Sequence, residues 1–162
     1  MKRLLAALFL ALVGTLVVAS GVASADPKQD LVSGTGHFIV ETIDFDGQLH
    51  VNAQSGPSGE APRGHFFLTV SSGTTETFDI KGRVTCVNVN GNLAAVAGVV
   101  TKSRNPSVPE GTGILINILD GGPGEQDVAQ VDSAERPPTT CPFVGVISPT
   151  TNGNFVVHDA MP

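Results

Sequence analysis

Residues 81–100 read KGRVTCVNVNGNLAAVAGVV, two apolar-rich runs on either side of Asn90-Gly91. Asn-Gly between such runs is a strong hairpin signal, because a type I′ turn needs positive φ at both central residues. Just upstream, residues 78–86 (FDIKGRVTC) alternate with a period of two. That period puts Phe78, Ile80, Val84 and Cys86 on one face, and Asp79, Lys81, Arg83 and Thr85 on the other. After Cys86 the apolar positions move to Val87 and Val89, and a change of phase of this kind predicts a bulge or the end of a face. The stretch therefore predicts two antiparallel strands of a sheet with one wet face.

The same pattern extends in both directions. Strands are predicted at 35–42, 48–55, 63–70, 75–90, 92–103, 112–120, 127–133 and 152–159, separated by Gly, Pro and Asn. Leu49, Val51 and Ala53 face inward on the second, Phe66, Leu68 and Val70 on the third, and Ile114, Ile116 and Ile118 on the sixth. Short turns are expected at 44–47, 71–74 and 121–124, and a longer loop at 56–62. No helical period of any length occurs beyond the N-terminus. The chain is thus all-β, with about eight antiparallel strands in sequential hairpins. A closed up-and-down barrel is the expected architecture, with a two-sheet β-sandwich as the alternative. Closure removes exposed edges, and the first and last strands, GHFIVE and GNFVVHD, match in length and pattern and are expected to pair.

The N-terminus reads as a secretory signal peptide over 1–25. Lys2 and Arg3 are followed by an uncharged apolar run, and Ala23-Ser24-Ala25 is a small-x-small cleavage site. A retained membrane anchor is the competing reading, since the run approaches the ~20 residues a span needs. Residues 26–34 are expected to be a flexible segment and 35–162 a single β domain. Beyond residue 25 there are 7 basic and 15 acidic residues, a formal charge of −8. That balance argues against nucleic acid or an anionic membrane as partner.

Cys86 and Cys141 are the only cysteines. In an exported chain an even count predicts a disulfide, the alternative being two buried thiols. With no CxxC, a thiol redox site has little support. The bridge would tie the Pro-rich segment 136–142 (RPPTTCP), which has no strand pattern, to the central hairpin.

Candidate sites are few. His37, His50, His65 and His158 fall on the first, second, third and last predicted strands, all by parity on the face opposite the apolar one. A zinc or copper site needs imidazoles converging at about 2.0–2.1 Å from the metal. The plainer reading is four solvated histidines, as neither HxH nor HExxH occurs. Asp120, Glu125 and Asp127 in DGGPGEQD could offer oxygens to Ca²⁺, but the spacing is not that of an EF-hand, and a Gly-Pro hairpin with solvated acids explains it. No serine sits in a GxSxG elbow. Arg63, Lys81 and Arg83 form a small basic patch, expected to balance nearby acids.

Three motifs carry a resemblance: Pro62-Arg63-Gly64-His65-Phe66, the hairpin Val87 through Ala94, and the late turn Asp120 through Asp127. Over residues 34–132 the chain resembles a group of small secreted actinobacterial proteins. It is more distantly similar to the post-COAP β-domains of bacterial exported and surface proteins. The resemblance implies an all-β secreted domain with no assigned reaction, and offers no catalytic residues. The expectation is a secreted, extracellular, non-catalytic interaction or structural module. It would have no cofactor and an unknown extracellular protein as partner. The alternatives are a barrel for a small apolar ligand, suggested by small residues on strand five (Ala94, Ala95, Ala97, Gly98), and a barrel enzyme of isomerase or cyclase type. The enzyme would need a titratable residue in the interior, where the face assignment puts almost none.

Overall fold

The structure is a computed structural model that describes residues 29–40, 45–72, 77–144 and 150–160. The predicted signal peptide, and the predicted turns in part, lie outside the described residues. The strands are β1 (Asp30–Val40), β2 (Phe45–Ser55), β3 (Arg63–Ser72), β4 (Thr77–Asn90), β5 (Leu93–Ser103), β6 (Gly113–Leu119), β7 (Val128–Ala134) and β8 (Thr150–His158). All eight predicted strands are present, and no helix occurs among the described residues. β1 begins at Asp30, so residues 30–34, expected to be flexible, are strand.

The strands form one antiparallel sheet in the order β7-β6-β5-β4-β3-β2-β1-β8. The sheet is continuous, which separates it from a two-sheet sandwich. It curls into an open half-barrel. The expected pairing of first and last strands forms, with Leu31 opposite His158 and Gly34 opposite Phe155. Closure also requires a β7–β8 ladder, and none exists among the described residues. The closed barrel is therefore corrected to an open one. The physical reason lies in the chain after β7. Instead of turning back as a hairpin, the Pro-rich segment crosses the outside of the sheet, and side chains take the N–H groups on the outer edge of β8. Asp127 Oδ2 accepts from Phe155 N–H at 2.6 Å, and Asp120 Oδ2 from Val157 N–H at 3.1 Å.

The curl brings all eight strands around one apolar core. Val32, Leu49, Val51, Phe66, Ile80, Val96, Ile116, Ile118 and Phe155 are essentially inaccessible. Two glycines let the sheet close over Phe66. A Cβ on Gly82 would lie 1.9 Å from Phe66 Cζ, and one on Gly98 2.7 Å from Phe66 Cε1. The ring occupies the space that side chains would otherwise take, so the small residue at Gly98 accommodates an aromatic.

The β4–β5 ladder slips twice, between Lys81 and Gly82 and between Val84 and Cys86. Thr101 is the extra residue at the first slip and Thr85 at the second. Bulges bend a strand and re-aim its side chains. The predicted change of phase is real, but it falls at Thr85. Val84 and Val87 both face the core, while Cys86 packs with Ala95 and Ala97 in a separate outer cluster. Cys86 thus leaves the face predicted for it. The hairpin also sits one residue later than expected. Asn90 pairs with Leu93, so Gly91 and Asn92 form the loop. Gly91 has φ +62° and Asn92 is not among the positive-φ residues, a pattern that departs from type I′.

Candidate interaction surface

The outer face of the sheet carries the sequence-predicted residues, and they divide into groups with different tasks. At one side Cys86 and Cys141 form a disulfide with Cα atoms 6.0 Å apart. The bridge packs on Ala95 and Ala97, with Leu115 and Phe143 against it. Asn88 Nδ2 donates to Cys141 O at 3.1 Å, and Val144 N–H to Asn117 Oδ1 at 3.2 Å. The small residues of β5 make room here for a strap with no strand pattern of its own. A disulfide fits an oxidising compartment.

The four histidines spread across the outer face. His37 Nε2 meets Asp46 Oδ1 at 2.7 Å. His50 Nδ1 shares a 2.9 Å hydrogen bond with Thr35 Oγ1. His50 and His65 are neighbours, with ring centroids 6.0 Å apart. His158 lies opposite Leu31, six residues along β1 from His37, which is roughly 20 Å by strand rise. Among the described residues no three His, Cys, Asp or Glu gather closely enough to hold a metal ion.

The acidic loop after β6 turns inward on the backbone. Asp127 Oδ1 accepts from Gly121 N–H at 2.9 Å and Asp120 Oδ1 from Gly122 N–H at 2.8 Å, while their second oxygens hold β8. At the same end Asp159 Oδ2 accepts from Gly91 N–H at 2.7 Å, and Asp30 Oδ1 from Ala160 N–H at 3.0 Å. Asp30 and Asp127 are buried. This corrects the expectation of an interior almost without titratable groups, and both carboxylates serve backbone donors. Burial raises the pKa of Asp30 above its ordinary 3.8, opposed by the Ala160 N–H and reinforced by the nearby charge of Asp159. Sequence reasoning missed this role. Four aspartates beside glycines or strand ends were the signal available, but their partners lie as many as 130 residues away.

The basic patch is not balanced as expected. Asp79, the acid beside it on β4, is bonded to Arg104. Among the described residues Lys81 and Arg83 meet no carboxylate within salt-bridge distance. Lys81 Nζ stands 5.3 Å from the centroid of Phe67, a cation–π contact. His50, His65, Phe67, Lys81, Arg83 and Thr101 surround a shallow hollow of about 520 Å³. Alternation places them there, because Phe66, Leu68, Ile80 and Val84 occupy the inward positions between them. The bulge at Thr101 sits at its rim, with Thr101 Oγ1 donating to Lys81 O at 3.3 Å.

A second recess opens at the end of the interior. It holds about 190 Å³ and is lined by Leu68, Val70, Ile80, Val108, Ile114 and Val131, with Asn105, Asp132 and Ser133 at its polar side. Compared with known proteins, the chain matches no family, no curated protein and no solved structure.

Proposed function

We propose that this chain is an exported, non-catalytic β-domain that acts as an extracellular interaction module and binds through the outer face of β2 to β5. The observation that carries this reading is the hollow around Phe67, where Lys81 and Arg83 stand without acidic partners in a chain with a formal charge of −6. Unpaired like charges on one face repel each other and lower stability slightly, so a binding role gives them a reason to be there. The disulfide supports an oxidising location, and the signal-peptide pattern supports export. The apolar filling of the interior supports a binding role on the outside.

The test is sedimentation of the oxidised protein with the insoluble envelope material of its host cells. The protein is expected in the pellet at low salt. A variant carrying Lys81→Ala and Arg83→Ala is expected in the supernatant. Wild-type protein that stays in solution would sink the reading.

A second reading has its own observation, the apolar recess beside Leu68 and Ile114. Its 190 Å³ lies below the ~300–1,000 Å³ of ordinary ligand pockets. It would hold a small apolar molecule at most. An environment-sensitive apolar dye that stays dark with the protein would remove this reading.

A further inference from the structure

The geometry points to a uronate-bearing oligosaccharide as the ligand of the hollow on the outer face, an inference that rests on the reading of that face as a binding surface. The register sets the donors on a grid. Lys81 stands opposite Phe67 on β3 and Lys102 on β5, and Arg83 stands opposite His65. Neighbouring strands are about 4.8 Å apart and alternate residues along a strand about 7 Å apart. Charged donors therefore recur at intervals that suit an extended chain with a carboxylate on successive units. Arg83 brings a planar fork that matches the two oxygens of a carboxylate, and Lys81 a point charge. His50, His65 and Thr101 add neutral donors and acceptors for hydroxyl groups.

Other anionic partners fit the face less well. A globular protein interface needs an apolar, fully desolvated centre, and here Phe66 is buried in the core while the half-buried Phe67 carries Lys81 over its ring. Single-stranded nucleic acid is held by successive stacking platforms, and Phe67 alone cannot supply them. An anionic membrane presents its charge over a wide plane and would meet the acidic remainder of the molecule as well. A short anionic oligosaccharide feels the local field of the hollow and not the net charge, because charges beyond about 10 Å are screened at ordinary ionic strength.

The experiment is calorimetric titration of the intact oxidised protein with tetragalacturonate at low salt. Tetraglutamate and a neutral dextran oligomer serve as comparison ligands. The wild type is expected to bind tetragalacturonate at least tenfold more tightly than either, with the affinity falling as salt is raised. The Lys81→Ala/Arg83→Ala variant is expected to lose at least tenfold. All the substituted side chains are exposed, and an unchanged thermal unfolding curve will show that the variant is folded. Tetraglutamate binding as tightly as the sugar would overturn the assignment in favour of an acidic peptide. Equal affinity of wild type and variant would overturn the site. Wild type that ignores tetragalacturonate yet still pellets with envelope material would overturn this ligand while leaving the interaction reading intact.

Discussion

Phe66 is the residue around which the sheet bends, and two missing side chains allow it. Gly82 and Gly98 leave its ring in contact with bare backbone. Gly82→Ala puts a methyl group into space the ring occupies, and overpacking of this kind costs about 1–3 kcal/mol. A lower urea midpoint at unchanged slope, corresponding to that loss of stability, with the disulfide intact, is the expected outcome. Asp30 gives a second prediction. Its pKa is raised in the fold, so the folded chain holds this proton more tightly than the unfolded chain does. Its contribution to stability is therefore greatest below 3.8 and is lost as pH rises through the raised value. Asp30→Asn keeps an acceptor for the Ala160 N–H and cannot ionise. The variant should gain on the wild type as pH rises through the carboxylate range, as read from urea midpoints at acidic and neutral pH. Parallel curves for the two proteins would contradict this. At this scale the sequence was legible where alternation is unbroken, as at Leu49, Val51 and Ala53. It was not legible at Cys86, whose face is set by a bulge at Thr85 that no local residue type announces.

Strands were easy to locate because one wet and one apolar face leave a period of two in the sequence; β2 and β3 keep it throughout, β4 breaks it at Thr85, and β5 and β6 are buried over most of their length. The strap after β7 leaves no such trace. Its position is fixed by one covalent bond and by small residues on β5, Ala95 and Ala97, which stand more than 40 positions before Cys141 in the chain. The bridge closes a loop with a sequence separation of 55. By the chain-entropy estimate it contributes about 4 kcal/mol, a large part of a typical total of about 5–15 kcal/mol. Replacing both Cys86 and Cys141 by alanine should lower stability by roughly that amount. It should also open the strap around Pro137 to limited proteolysis before the sheet unfolds. A strap equally resistant in the double variant would show that Asn88, Asn117 and the outer cluster suffice. The histidines belong to this scale as well. Parity placed them on the outer face, but only register shows that His50 and His65 are neighbours and that His158 stands apart.

For the whole molecule the deciding feature is the seam beside β8. Alternation predicts how many strands there are and which face is buried; whether the last meets the seventh depends on which groups claim its outer N–H bonds. Here carboxylates do. Asp127→Ala leaves the Phe155 and Gly121 N–H groups without that acceptor, and a buried donor without a partner costs about 1–3 kcal/mol. Faster amide exchange at Phe155 is expected, together with a rise in dimer as the uncovered edge seeks another strand. Asp127→Asn, which keeps one acceptor oxygen, should show a smaller effect in both measurements. Exchange at Phe155 unchanged in the alanine variant would mean that β8 is held by β1 alone.

The pairing of β1 with β8 also fixes how the molecule answers force. Leu31 faces His158 at the shared extremity of two antiparallel neighbours, and Ala160 is bonded to Asp30 there. Tension applied to the chain at those two points meets the ladder as a zipper, rung by rung, and never loads all its hydrogen bonds together in shear. The same domain pulled across its disulfide would present a covalent stop. Its resistance to stretching is therefore a matter of direction, weak where the strands part from their ends and strong across the strap.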